Sequence, residues 1–597
     1  MEDHPITRRP ALSAALFAAA IYLGCAISPP ALMDDVDAVQ AQIARNMLDS
    51  GDWVTARLNG VTYLEKAPGP YWMMAASYAL FGVHDWAARL PFALSAIALA
   101  FLTARFGMWA FTRRAGLYAG LVTTACAGLW LFTRIQIPDV TLTLTIALSM
   151  WAFLRTEDGD AGPWPWLMWA AMGTGFLLKG LIALVFPLGG AGLYLLLTRQ
   201  LFVRNIFARF RVFAGIAAVA AICLPWVVLA MLRNPPLFDF TMHSGPGEYH
   251  GFFWFFFFNE HLFRFLNMRW PRDYNTVPRP LFWLLHLAWL FPWSVYLPEA
   301  LRSLPNRAPI DRAAKTRLLA WCWAGFLLAF FTLSTTQEYY SMPCYPALAL
   351  LIGDALTRES RWIHAGTRVL AIVTSMLTAV LGVIWFAVRN IPAPGDISHA
   401  LTSNPDAYTL SLGHMQDLTL PAFAYLRTPL LIAAAAFAVG ALAAWRYRGV
   451  RLAIGLATMM VLFTQAARMA LVSFDPYLSS RPLAEALLGA PPGEVILDNQ
   501  YYTFSSVFFY AHDRLRNGAL LLNGRVNNLE YGSYAPGAPN VFIGDNDLGA
   551  RWGGPNRSYL FLEVPQLERI AKLVGHEHLH TVKESGGKLL LTNAALD

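Results

Sequence analysis

Long apolar runs separated by short polar turns occupy most of the chain. Runs long enough to cross a bilayer core fall near 11–33, 90–111, 115–133, 138–154, 164–178, 180–198, 212–231, 279–298, 318–335, 342–356, 369–388, 428–445 and 452–472, about thirteen in all. Those at 138–154 and 164–178 are short for full spans. After the first run, Asp35 to Met47 places Val36, Val39, Ile43 and Met47 on one stripe, which predicts an amphipathic helix lying on the bilayer surface. After Phe474 the pattern changes. Strand-like runs lie within 494–510 and 541–563 (EVILD, VFI and YLFLEV), a helix is expected over 565–574, and a hairpin over 579–592 around Glu584-Ser585-Gly586-Gly587. The pattern predicts an α-helical polytopic membrane protein over 1–473, with outer loops 34–89 and 232–278, and a small extracytoplasmic α/β domain over 474–597.

Composition supports the membrane assignment. Hydrophobic residues make up 56% and charged residues 14% of the chain, whereas a soluble domain carries about 25% charge. The 21 Trp, 22 Tyr and 39 Phe suit aromatic belts and aromatic-lined loops. The net charge of +7 is unevenly placed. With Arg8 and Arg9 inside, the basic short loops around Arg113, Arg155, Arg199–Arg211, Arg302–Arg317, Arg358–Arg368 and Arg446–Arg451 all fall on the same, cytoplasmic side. The loops 34–89 and 232–278 and the C-terminal domain then face the extracytoplasmic side. Arg8 and Arg9 precede an apolar run without a small-residue cleavage site, which reads as an uncleaved signal anchor. The five cysteines lie in or beside apolar segments without metal-ligand spacing and are expected to pack. No Walker, GxGxxG or Gly-x-Ser-x-Gly motif occurs, so neither a nucleotide cofactor nor a nucleic-acid partner is expected. His576, His578 and His580 would share one face of a strand, as a metal site or a solvated edge, and GDNDLG at 544–549 reads as a turn.

The polar residues beside the membrane carry the candidate chemistry. The first outer loop holds Asp34, Asp35, Asp37, Asp49, Asp52, Glu65 and Lys66. Other outer segments add Arg134 and Asp139, then Lys179, the stretch HSGPGEYHGFFWFFFFNEHLFRFLNMRWPRDY and the turn TTQEYYS. All reach one membrane level, and acids at that depth generally serve function. A transporter or lipid flippase is the alternative, but it predicts charge at mid-bilayer and repeated halves, and neither pattern is present.

An acidic cluster after the first span, then ARNMLDSGDW, NGVTYLEKAP and FGVHDWAARLP, resembles the GT-C glycosyltransferases. The resemblance is nearest to the group that holds the lipid A aminoarabinose transferases and the protein O-mannosyltransferases. It implies transfer of a sugar, with inversion, from a polyprenyl (undecaprenyl) phosphate donor to a lipid, glycan or protein acceptor, at the periplasmic face of a bacterial inner membrane, by a protein expected to be a monomer. It also implies roles. Asp35 would be the base, with Asp34 second and Asp37 in the neighbouring acidic position. Ungapped spacing back from Glu65 puts Val36 at the base position, so Asp35 requires a one-residue shift. Val39 stands where the aminoarabinose transferases have an arginine. Asp139 matches a second acidic position. Tyr63, Glu65 and Lys66 match a Tyr-x-Glu-Lys-Pro stretch, with Ala67 before Pro68. Lys66 would hold the carrier phosphate, and Arg264 and Tyr340 would contact the donor. Lys179 is either a phosphate contact or a snorkelling helix-end lysine. Glu65 and His261 would ligate a divalent metal, zinc or manganese. His243, Glu248 and His250 can line an acceptor entrance.

Overall fold

The structure, a computed structural model, describes residues 8–28, 30–160, 162–203, 205–272, 276–304, 311–334, 336–402 and 417–596. Each of the thirteen apolar runs carries helix. By length and composition, six helices suffice to cross a membrane: Asp85–Ala110, Val212–Arg233, Arg312–Leu333, Arg361–Val388, Pro421–Arg446 and Gly449–Leu478. Two bent pairs raise the number to eight, and shorter apolar helices add to the bundle. Helices Val212–Arg233 and Arg361–Val388 expose Leu224, Val228, Leu232, Met376, Val383 and Phe386, as expected of lipid-facing surfaces.

Two predicted spans are broken. Arg113–Thr124 and Ala127–Thr133 meet at 46°, and Arg279–Trp289 and Ser294–Leu301 meet at 102°. The two breaks face each other, and the Ala127 N–H donates to the Phe291 carbonyl at 3.0 Å. Backbone groups freed by a helix break need partners inside a membrane, and here each break serves the other.

The basic loops gather at one end. Arg209 pairs with Glu157 at 2.5 Å, Arg312 and Lys315 with Asp158 at 2.8 and 3.2 Å, and Arg317 with Asp354 at 2.8 Å. This clustering fits the alternation of loops expected from charge.

At the other end the first outer loop is packed, not splayed. Helix Val36–Ser50 buries Asp37, Val39, Gln40, Ile43, Ala44 and Met47. It does not lie half-exposed on the bilayer as its stripe suggests. It is covered by helix Gly69–Phe81 and by Ser505–Tyr510, with Arg45 donating to the Phe509 carbonyl at 2.8 Å and Tyr78 to the Ala41 carbonyl at 3.3 Å. A two-stranded ribbon follows, β1 (Arg57–Leu58) against β2 (Val61–Thr62). Segment 251–263 is helical, with Gly251–Phe253 running into a π-helix, Trp254–Phe263.

The last spanning helix ends at Leu478. Beyond it lie β3 (Glu494–Asp498), β4 (Leu520–Leu522), β5 (Phe542–Ile543), β6 (Ser558–Glu563), β7 (His580–Ser585) and β8 (Lys588–Thr592), ordered β5-β4-β3-β6-β8-β7. The first four are parallel, and β8 and β7 add antiparallel. The parallel strands read as continuous apolar runs because both sheet faces are covered. Ile496, Leu522 and Leu560 face Leu548, Trp552 and Ile570, while Leu497, Leu521 and Phe561 join the same core as the membrane helices. Two local expectations are corrected. Residues 576–578 form a 3-10 turn, with only His580 in a strand, so the three histidines do not share a strand face. GDNDLG opens a helix, Asp545–Trp552, in which the Asp547 carboxylate accepts from the Gly544 N–H at 3.0 Å.

The hairpin turn is wedged against the bundle. Gly586 has φ +63°, and a Cβ there would lie 1.8 Å from the Pro476 carbonyl oxygen, so only glycine fits. Next to it, Lys588 pairs with Asp34 at 2.6 Å.

Candidate active site

A cavity of about 2150 Å³ lies between the first outer loop, the C-terminal sheet and several helices of the bundle. Its apolar arm is built from Leu281, Leu377, Leu430, Phe437, Phe463 and Phe474. Its polar end holds nine of the eleven predicted residues: Asp34, Asp35, Asp37, Tyr63, Glu65, Lys66, Asp139, Lys179 and Arg264. The other two, Tyr340 and His261, stand behind the wall. Tyr340 meets Tyr339, a lining residue, edge to face, and the Lys179 Nζ sits over the two rings at 5.2 and 5.0 Å.

Glu65 is the hub of the cationic side. Its Oε2 accepts from the Tyr63 hydroxyl at 2.5 Å and from the Asn528 amide at 2.5 Å. Its Oε1 receives Lys66 Nζ, with Arg264 Nη1 at 3.6 Å. Glu260 completes the set by pairing with Arg264 at 2.7 Å and with the buried Arg269. Burial alone would raise the Glu65 carboxyl, but Lys66, Arg269 and Arg264 outweigh it and hold it well below the usual carboxylate range. Burial likewise opposes the charge on Lys66, yet Glu65 lifts its ammonium above the ordinary lysine range. Burial, then Glu65, keep the Tyr63 phenol protonated. Of this cluster, Lys66, Arg264 and Glu65 border the cavity.

The four candidate acids differ. Asp34 is held by Lys588, by Ser480 Oγ at 2.6 Å and by the Ser506 N–H at 2.8 Å. Asp37 is buried, pairs with Arg89 at 2.8 Å, and accepts from the Met33 and Gln136 N–H groups at 3.2 and 3.1 Å. Asp139 takes Lys179 Nζ on both oxygens, at 2.6 and 2.7 Å. Asp35 is exposed and borders the cavity, one residue ahead of the helix. Its backbone has φ +75°, a conformation costing about 1–3 kcal/mol for a residue with a side chain. The C-terminal region holds it there: the Asp35 N–H donates to the Tyr502 carbonyl at 2.9 Å, and Ser505 Oγ donates to the Asp35 carbonyl at 3.2 Å.

The metal expectation does not fit these residues. His261 Nδ1 donates to the Phe256 carbonyl at 2.6 Å, and its Nε2 accepts from the Leu181 N–H at 3.1 Å. The ring lies against Gly180, where φ is +71° and a Cβ would meet Nε2 at 2.4 Å. Both nitrogens are committed, so His261 buttresses the turn after Lys179. Glu65 is already surrounded by cations, which would compete with a metal. The predicted acceptor entrance is also corrected. His250 is held by Asp239 at 2.8 Å and rests on Trp254, and none of His243, Glu248 and His250 borders the cavity.

The site also contains residues that sequence reasoning left out. Asn528 donates to Glu65 and accepts from Arg269 Nη2 at 2.5 Å, tying the two halves of the cationic cluster. It lies 463 residues from Glu65, and no local signal marks it. Arg89 and Glu260 did have one, a lone arginine in FGVHDWAARLP and the acid of Asn-Glu-His. Replacing Asn528 with Ala is expected to weaken binding of an anionic ligand at the cationic cluster at least about tenfold, the size of a lost charged hydrogen bond. Equilibrium titration of the variant beside wild type checks it.

Residues 65–229 match the family described as dolichyl-phosphate-mannose-protein mannosyltransferase. An undecaprenyl phosphate-alpha-4-amino-4-deoxy-L-arabinose arabinosyl transferase of Pseudomonas fluorescens Pf0-1 is 30% identical over 388 residues, 63% of this chain and 61% of that protein. A relative with the same description from strain Pf-5 is 29% identical over 72% of this chain and 76% of its own length. The chain thus spans about three fifths of the first of these relatives. The crystal structure of ArnT from Cupriavidus metallidurans bound to undecaprenyl phosphate superimposes with TM-score 0.75 at 22% identity, covering 98% of this chain and 97% of the other. The apo form of that protein gives 0.74 at 23% identity. These matches share one architecture with the present fold.

Proposed function

We propose that this chain, akin to the aminoarabinose transferases and the protein mannosyltransferases, is a GT-C glycosyltransferase using a polyprenyl-phosphate-linked sugar. The observation that carries this reading is one cavity with two unlike ends. Its apolar arm suits an isoprenoid tail, and its cationic end suits the phosphate that joins tail to sugar.

In this reading the carrier phosphate sits on Lys66 and Arg264. The leaving group is already a phosphate, so it needs charge stabilisation more than a proton, and Lys66 and Arg264 supply that. Glu65 and Glu260 orient the cations without cancelling them. Asp35 accepts the proton of an acceptor hydroxyl held in line behind the anomeric carbon, which gives inversion. Asp37 and Asp34 shape that corner from their ion pairs, and Lys179 is a positioning residue on Asp139. The acceptor, a lipid such as lipid A, a glycan or a protein, enters at the periplasmic face. No step needs a metal.

Purified protein in nanodiscs, given polyprenyl-phosphate sugar and a total membrane lipid extract, is expected to yield a product heavier by one sugar residue. Membranes from cells lacking the gene should lose the same species. An unchanged lipid, glycan and protein profile in both experiments would overturn the reading. A reporter that fluoresces only in the cytoplasm, fused after residue 597, is expected to stay dark.

A further inference from the structure

A second, smaller cavity of about 70 Å³ adjoins the large one and is lined by Arg89, Arg134, Arg468 and Asp475 among apolar side chains. Arg134 and Met33 border both cavities. Two of the arginines are well supplied. Arg89 donates to the Pro30 and Ala31 carbonyls at 2.6 and 3.1 Å and pairs with Asp37. Arg468 donates to Gln465 at 3.0 Å and to the Ser28 carbonyl at 2.5 Å. Arg134 is different. Its Nη1 reaches only the Met33 sulfur, at 3.7 Å, and its Nε is shielded from solvent with no hydrogen-bond partner among the described residues. Asp475 spends one oxygen on the Ala31 N–H at 3.0 Å. With Arg89 answered by Asp37, two guanidinium groups face one carboxylate.

A desolvated guanidinium with an empty donor is costly, and a planar fork matches an oxyanion. The setting is also separate from the carrier site. Lys66, Glu65 and Arg264 border the large cavity and not the small one, whereas Arg134 borders both. Met33, which touches Arg134, precedes Asp35 by two residues, so an anion on Arg134 lies on the acid side of the cavity.

We infer that Arg134 heads a second anion site, which takes a phosphate or carboxylate group while the carrier phosphate occupies Lys66 and Arg264. This rests on the proposed donor site. The anion belongs either to the acceptor or to a released carrier on its way out. In both cases the cavity holds two anions, with Asp35 bordering the path between them.

Full-length protein in phosphatidylcholine nanodiscs is titrated with polyprenyl monophosphate and, separately, with phosphatidic acid as a phosphomonoester lipid without an isoprenoid tail. Wild type is expected to bind two phosphate groups in total. Arg134→Gln should weaken the second by about ten- to a hundredfold and leave the first intact. Arg134→Lys, which keeps charge without the fork, should recover part of that binding, as a merely structural arginine would not. If the Gln variant does not fold, the Lys variant decides, and an unchanged Kd there overturns the inference. Two equivalents of polyprenyl phosphate, one of them sensitive to Arg134, assign the site to the released carrier. Phosphatidate binding on top of one equivalent of carrier assigns it to the acceptor. Binding of a single anion in total, or Arg134→Gln behaving as wild type, overturns the inference. If Lys66→Ala leaves carrier affinity intact while Arg134→Gln loses phosphatidate, the donor reading fails and the second site stands.

Discussion

Asp35→Asn is expected to lower turnover by about 10²–10⁴-fold, the range for losing a general base, while the protein folds and binds carrier normally. Three neighbouring acids could each claim the role on sequence grounds, and only Asp35 is exposed at the edge of the cavity. Asp34 is tied to Lys588 and two serine groups, and Asp37 is buried against Arg89. Asparagine at either of those positions leaves a cation without its counter-charge. For Asp37→Asn, breaking the buried pair should cost about 3–5 kcal/mol of stability. The two effects are read on different axes. Asp35→Asn should keep its melting temperature and lose kcat, whereas Asp37→Asn should lose melting temperature first. Near-wild-type kcat for Asp35→Asn, with kcat lost in a well-folded Asp37→Asn, moves the base to Asp37.

Lys66→Ala is expected to weaken carrier-phosphate binding by more than the ten- to hundredfold of one charged hydrogen bond. The reason lies in the cluster. Glu65 now divides its oxygens among Lys66, Tyr63, Asn528 and, more distantly, Arg264. Without Lys66, its Oε1 turns to Arg264 and competes with the phosphate for the remaining cation. Lys66→Arg should restore binding in part, because it retains the pair with Glu65. Titration of both variants with polyprenyl phosphate in nanodiscs, beside their melting curves, tests this. Equal affinity of Lys66→Ala and wild type removes Lys66 from the phosphate site.

Local pattern made much of this architecture legible. Every apolar run carries helix, and β3, β6 and the β7–β8 hairpin fall where the strand-like runs and the double glycine place them. Hydropathy, however, averages over a turn or more, so it cannot show that two spans break and that the breaks bond to each other. A strand of three leucines, β4, is too short for any periodicity. The stripe on helix Val36–Ser50 marked a buried face, but not that Ser505–Tyr510 would cover the rest. The same limit governs the site. Spacing brought nine of eleven residues to one cavity, because short outer loops must end at one membrane level. Spacing could not say that His261 bonds backbone on both nitrogens, or that Asn528 joins Glu65 to Arg269. Those pairings cross long stretches of chain and have no local imprint.

The contact between Lys588 and Asp34 joins residues 554 positions apart. During synthesis Asp34 is made 554 residues before Lys588. The acidic corner of the first loop therefore stays open until the hairpin that carries Lys588 is made and delivered to the same side. Ordering of Asp35 by Tyr502 and Ser505 waits on the same event. A chain cut short of the hairpin can hold its helices and still lack an assembled acidic corner.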